Sequence, residues 1–265
     1  MRRIALPLAP ALASLREALF PPLCPGCGEE TGVAGLCPTC WRETRFLDAH
    51  GCRYCSRPII RAGAEDEALC DDCLRWPPLW QRGRAVFHYE SVGRRLVLAL
   101  KHGDRLDLVP MLGAWMLRAG RDLLHEADLI APVPLHWTRR VKRRTNQAAE
   151  LARFLAPRAG ARHEPRLLLR GRRTSVQDGK NRAARAENVA GAFTSGPGAR
   201  AIRGKRVILI DDVLTTGATL SECARLCLAS GARAVDVLVL ALVVREEFPY
   251  LSQKAEQECA DGEQD

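Results

Sequence analysis

Eight of the eleven cysteines fall into four Cys-x-x-Cys pairs, Cys24/Cys27, Cys37/Cys40, Cys52/Cys55 and Cys70/Cys73, all within fifty residues. Two thiolates two residues apart on a tight turn can grip one metal ion together, and two such turns complete a tetrahedral four-cysteine zinc site. Glycines beside the thiols, as in Cys24-Pro25-Gly26-Cys27-Gly28, supply the open backbone angles a knuckle needs. Two structural zinc ions are the simplest count, with Cys24, Cys27, Cys37 and Cys40 around one and Cys52, Cys55, Cys70 and Cys73 around the other. Spacing leaves interleaved pairing open, and disulfides too if the chain is exported. Four pairs in register argue against a redox motif. Cys223 and Cys227, four apart in an apolar stretch, read as small core residues.

The second string able to do chemistry is Asp211-Asp212-Val213-Leu214-Thr215-Thr216-Gly217-Ala218-Thr219, directly after Val207-Ile208-Leu209-Ile210. The pattern predicts a buried strand ending in two carboxylates, then a loop of small residues, then a helix. Ligands of open α/β sheets sit beyond the carboxyl ends of the strands. A helix start reached through such a loop offers free N–H groups and partial positive charge, which suits a phosphate. Thr215, Thr216 and Thr219 add hydroxyl donors. Asp211 and Asp212 repel a phosphate, so they must face another part of the ligand. Vicinal sugar hydroxyls fit, since a carboxylate accepts both protons. The string reads as a cradle for a ribose 5-phosphate. A capped helix with acids at its start explains less, because capping does not need the whole string.

These residues must be positioned by regular elements, and the apolar patterning supplies them. It predicts strands at 85–89, 129–134, 207–210 and 235–243, and helices at 92–100, 106–117, 146–155 and 218–230, the last stopped by Gly231. Residues 170–189 are polar and basic without periodicity and read as a loop that orders over a ligand. Continuous apolar strands alternating with helices mean a parallel α/β sheet covered on both faces. Trp76-Pro77-Pro78 marks a boundary after the cysteines. The expected organisation is a Cys-rich zinc module over 15–78, an α/β domain over 82–245 and an acidic tail over 246–265. The module has little apolar material, so metal would supply most of its folding energy. The sheet domain is expected to have a core of its own.

At the N-terminus, Leu12, Leu15, Leu19 and Phe20 share a face of a short amphipathic helix. The run before it resembles an export signal but is short and broken by Pro7 and Pro10. The apolar run at 237–244 suits a buried strand and is too short to span a bilayer, which needs about 20 residues. A cytoplasmic protein is expected. The net charge of +9 is uneven. Residues 139–206 carry 19 Lys and Arg against four acids, while 246–265 carry seven acids and one lysine. A basic middle suggests an anionic ligand.

The string from Asp211 to Thr219 resembles the signature of type I phosphoribosyltransferases, and the rest of the chain is similar to the ComF competence-protein family within that fold. The supporting residues are the cysteine pairs after Leu19-Phe20-Pro21-Pro22, Leu100-Lys101-His102-Gly103, Pro132-Val133-Pro134-Leu135 with Asn146-Gln147, and Thr174-x-x-Gln177 with Arg185, Asn188 and Gly191-Ala192-Phe193. Arg143-Arg144-Thr145 and Lys180 depart from the usual pattern of that family, adding charge and removing none.

The resemblance implies a type I phosphoribosyltransferase domain behind a double zinc ribbon. It implies 5-phosphoribosyl diphosphate (PRPP) as ligand, with Asp211, Asp212, Thr215, Thr216, Gly217, Ala218 and Thr219 on its ribose phosphate and Asp211 and Asp212 as catalytic residues. Lys101, Arg139, Arg140, Arg143, Gln177 and Arg185 are the candidates for the diphosphate and the lid. Mg²⁺ would bridge ribose and diphosphate oxygens. The activity implied is phosphoribosyl transfer to an acceptor the sequence does not name. Two other roles remain: binding single-stranded DNA and competence helicase or DNA-processing partners without catalysis, or sensing PRPP. Few aromatics in the basic segment, only Phe154 and Phe193, count against strong stacking on DNA.

Overall fold

Among the described residues there are seven strands: β1 Arg82–His88, β2 Leu129–Pro132, β3 Arg162–His163, β4 Leu168–Arg170, β5 Phe193–Ser195, β6 Arg206–Leu214 and β7 Ala234–Leu242. This is a computed structural model that describes residues 21–47, 51–59, 68–102, 105–135, 145–172 and 187–244. Five strands form a parallel sheet in the order β1-β7-β6-β2-β3. β4 and β5 form a separate antiparallel pair. Every residue of β7 is buried, as a central strand covered on both faces requires. Asp236 lies within it, fully buried, 3.0 Å from Arg82 on β1 and 2.9 Å from Arg206 on β6. A buried carboxylate needs such partners, and these tie the three strands together.

The helices among the described residues are α1 Pro38–Glu43, α2 Asp71–Arg75, α3 Ser91–His102, α4 Val109–Ala119, α5 Arg121–His125, α6 Gln147–Arg158 and α7 Ala218–Ala229. One face of the sheet, with Ile130, Ile208, Ile210, Leu238 and Leu240, packs against apolar residues of α3, α4 and α6. Gly113 of α4 lets the ring of Phe154 on α6 come close: a Cβ there would lie 2.3 Å from the ring. The other face, with Leu129, Val207, Leu209, Val235, Val237 and Val239, packs against α7 and the β4–β5 pair. Cys223 and Cys227 of α7 are fully buried there, as expected of core residues.

The cysteine-rich segment straddles the edge of this sheet. Cys24, Cys37 and Cys40 belong to the core on the first face; Cys52, Cys55, Cys70 and Cys73 belong to the core on the second. Between them the segment covers the outer edge of β1. Leu47 N–H donates to the Val86 carbonyl, His88 N–H to Arg45 and Gly83 N–H to Arg53. Ser56 Oγ donates to the Gly83 carbonyl and accepts from Ala85 N–H. An uncovered strand edge would be a template for aggregation. The ribbon therefore does not rest on metal alone, and the sheet's two cores include its cysteines.

Several sequence expectations are corrected. The strand expected to end at Ile210 continues to Leu214, because β7 offers ladder partners that far, Asp211 opposite Val239 and Leu214 opposite Leu242. The strand expected over 129–134 stops at Pro132, although Val133 N–H still reaches the Ile210 carbonyl. The helix expected over 106–117 is a 3₁₀ turn at Leu106–Leu108 followed by α4, with Pro110 in its first turn. Arg170 closes β4 rather than opening a loop, and residues 187–189 form a helical turn. The N-terminal helix, the acidic tail and the part of the expected lid at 173–186 lie outside the described residues.

Candidate functional site

β6 delivers Asp211 and Asp212 near its carboxyl end, Thr215 and Thr216 form the turn, and Gly217 adopts φ +76° immediately before α7. A left-handed turn at this point favours glycine. Thr215 is exposed, while Thr216, Ala218 and Thr219 are half-buried around the helix start. The loop and the first turn of α7 thus carry N–H groups without helical partners.

Asp211 and Asp212 behave differently. Asp212 reaches the Lys101 ammonium at 3.0 Å, from the last turn of α3. Asp211 Oδ1 accepts the Asp212 N–H at 2.9 Å. Burial first, and then the Asp212 charge, push the Asp211 carboxyl up to about 7; the Asp212 N–H, Lys101 and Arg170 pull against this. The same buried acid helps raise the Cys223 thiol, whose own burial is the larger cause. Asp211 is therefore harder to ionise than an ordinary aspartate, beside a second acid that is paired with Lys101.

Lys101, an expected diphosphate residue, is brought to the acid pair. Arg139, Arg140, Arg143, Gln177 and Arg185 fall outside the described residues. Asn146 caps α6, accepting from Ala148 N–H at 3.1 Å and donating to the Val133 carbonyl at 3.2 Å, which ties the start of α6 to the chain just after β2. Arg170 is a neighbour that sequence reasoning missed. Its charge acts on Asp211 from the end of β4, and a three-residue strand has no detectable period. A cavity of about 430 Å³ adjoins the loop, lined by Thr216 and Ala218 on one side and Trp76 and Leu79 on the other.

The cysteines separate into two clusters, Cys24/Cys27/Cys37/Cys40 and Cys52/Cys55/Cys70/Cys73, with the sulfurs of each within 4.8 Å of one another. This grouping settles the pairing that spacing left open. The Cys27–Cys37 and Cys55–Cys70 sulfurs are 3.7 Å apart. A tetrahedral Zn–S distance of about 2.3 Å puts ligands about 3.8 Å apart, so both clusters fit zinc. Backbone N–H groups of Cys37 and Cys40 point at the sulfurs of Cys24 and Cys37 at 3.3 and 3.4 Å, as thiolate ligands require.

Comparison with known proteins agrees with this geometry. Residues 15–74 match the double zinc ribbon domain and residues 122–251 the phosphoribosyl transferase domain. The chain is 30% identical to the DNA utilization protein YhgH of Escherichia coli over 79% of its length and 91% of that protein. It is 27% identical to competence protein F of Haemophilus influenzae, over 83% and 90% of the two chains. Orotate phosphoribosyltransferase from Aeropyrum pernix matches at 16% identity over 63% of this chain and 81% of that one, with a TM-score of 0.31, too low to add to the argument.

Proposed function

The chain belongs to the ComF competence-protein family, and from that membership we propose that it binds PRPP and transfers its phosphoribosyl group with release of diphosphate, in the service of DNA uptake or utilization. The observation that supports this best is the acid pair beside the threonine-glycine loop, with Lys101 against Asp212. In this reading the loop N–H groups and the hydroxyls of Thr215, Thr216 and Thr219 hold the 5-phosphate, with Gly217 and Ala218 giving the backbone room. Asp211 and Asp212 accept the ribose hydroxyl protons. Lys101, Arg139, Arg140, Arg143, Gln177 and Arg185 receive the diphosphate. Asp211 and Asp212 would help to hold Mg²⁺ with the bound ligand, and the ion would supply positive charge to the leaving group. As the C1–oxygen bond breaks toward an oxocarbenium-like state, these cations stabilise the departing diphosphate.

The name of the Escherichia coli relative and the basic segment favour a second reading, in which the same face grips single-stranded DNA. One mutant separates the two. Asp211→Asn/Asp212→Asn removes both carboxyl groups with little change of size. If the acids hold ribose hydroxyls, PRPP binding weakens by roughly 1.5–3 kcal/mol per charged hydrogen bond lost. If the face holds nucleic-acid phosphates, DNA affinity is unchanged or rises, and falls with salt. Measuring both ligands on one protein at two salt concentrations decides, and unaltered PRPP affinity removes the sugar-cradle assignment.

A further inference from the structure

Trp80 links the second cysteine cluster to the phosphate loop. It is only 4% exposed. Its indole Nε1 donates at 2.8 Å to the Tyr54 carbonyl, inside the knuckle between Cys52 and Cys55. The far edge of the ring lies against Gly217: a Cβ built there would sit 2.8 Å from Cη2. The ring thus occupies the space a side chain at Gly217 would need, and packs against the left-handed turn that opens α7. Leu214 and Leu220, on either side of the loop, share one apolar core with Trp80 and with Cys52, Cys55, Cys70 and Cys73. Among the described residues, the first cluster makes no such contact with the loop. Cys24, Cys37 and Cys40 lie in the core on the opposite face, and Gly26 of that knuckle packs against Val92 of α3.

We propose that the second zinc knuckle buttresses the phosphate loop through Trp80, which acts as a positioning residue, and that the first knuckle does not. The proposal rests on the sugar-phosphate reading for its functional meaning, but the mechanical link stands apart from it. With zinc bound, the Tyr54 carbonyl holds the indole by its N–H, and the indole holds Gly217. Loss of the second zinc frees the carbonyl, tilts the ring away and loosens the N–H array at the start of α7. Metal occupancy at one of two chemically equal sites thereby controls anion binding in a different part of the chain.

The full-length protein tests this with Trp80→Leu, Trp80→Phe, Cys55→Ser and Cys37→Ser. Amide hydrogen exchange over residues 214–219 reports the loop without any ligand, and metal analysis reports zinc. Trp80→Leu and Cys55→Ser are expected to speed exchange there by about tenfold or more, with Trp80→Phe intermediate and Cys37→Ser within about twofold of wild type. Zinc content in Trp80→Leu stays at the wild-type value. If Cys55→Ser does not fold, the two Trp80 variants carry the test. Unchanged exchange in Trp80→Leu overturns the proposal, as does equal loosening by Cys37→Ser. Ribose 5-phosphate, titrated by calorimetry, separates the two readings. Wild-type protein that fails to bind it, with the exchange pattern as expected, sinks the sugar-phosphate assignment and leaves the buttress standing. Binding that drops about tenfold in Trp80→Leu supports both.

Discussion

Asp211 is held in an environment that disfavours its own charge. In the unfolded chain an aspartate titrates near 3.8, whereas burial and the neighbouring Asp212 lift it to about 7 in the fold. A raised carboxylate has the reverse of the usual linkage. The folded state binds the extra proton between the two values, so stability declines as pH rises from about 4 to 7 and the full penalty persists above. Asp211→Asn is therefore expected to stabilise the ligand-free protein at pH 8 by about 1–3 kcal/mol, and far less at pH 4. Thermal melts of both proteins across that range check this; equal shifts at the two pH values would show that Asp211 ionises freely. In the proposed sugar-phosphate reading the same carboxyl, ionised, is the better acceptor for ribose hydroxyls. PRPP affinity of the wild type should thus strengthen as pH rises through 7, with Asp211→Asn losing that dependence. Stability given up at a site for the sake of binding is a common trade.

Among the elements, β1 shows how a strand comes to depend on its neighbours. Its inner edge pairs with β7, and its outer edge is completed by pieces of the two knuckles. Ser56 contributes a side chain, not a backbone, to that edge, and does so from a left-handed φ of 65°. Its hydroxyl satisfies both the Gly83 carbonyl and the Ala85 N–H. Ser56→Ala takes the hydroxyl partner from the Ala85 N–H and leaves the Gly83 carbonyl to the Arg84 guanidinium at 3.0 Å, and should cost about 1–3 kcal/mol in urea denaturation. A loss well below that range would mean that water reaches the edge. At the first face, Phe46 from the ribbon bridges Phe87 of β1 and meets Trp115 of α4 with ring centroids 5.2 Å apart. Trp41 packs behind it, tilted by 43° with ring centroids 4.6 Å apart. Aromatic contacts thus lock the ribbon to the sheet as firmly as the hydrogen bonds do.

At the scale of the whole molecule, the two knuckles clamp opposite faces of one sheet, so metal and sheet stability are joined. Metal analysis of protein purified without added zinc should give about two Zn²⁺ per chain. A value near zero with no free thiols would instead indicate disulfides. Cys52→Ser should release one ion. Because Cys52 lies in the core shared with Val237 and Leu214, its loss should lower the stability of the entire chain in one cooperative transition. Calorimetry distinguishes this from the simpler expectation of a self-sufficient sheet domain, in which an unshifted transition would survive. Among the described residues no helix is long and apolar enough to cross a membrane.

Short-range chemistry was readable in the sequence itself. A Cys-x-x-Cys knuckle is a local turn, and Asp211 to Thr219 is one continuous strand end, loop and helix start, so residue spacing alone determined what these pieces are. The parallel sheet was legible for the same reason, because a strand covered on both faces must be almost wholly apolar, as 207–210 is and as 235–243 is apart from Asp236. The contacts that make the pieces one site were decided only by tertiary structure. Lys101 meets Asp212 across 111 positions, the charge of Arg170 acts on Asp211 from the end of a three-residue strand, and Trp80 reaches from a proline-bounded linker to Gly217. None leaves a periodic or compositional trace, because each depends on strand order and register, which are set by packing over the whole chain. The reach of β6 past Ile210 belongs with them: polar Asp211 and Asp212 look like a strand end, and only the continuing ladder of β7 carries the strand to Leu214.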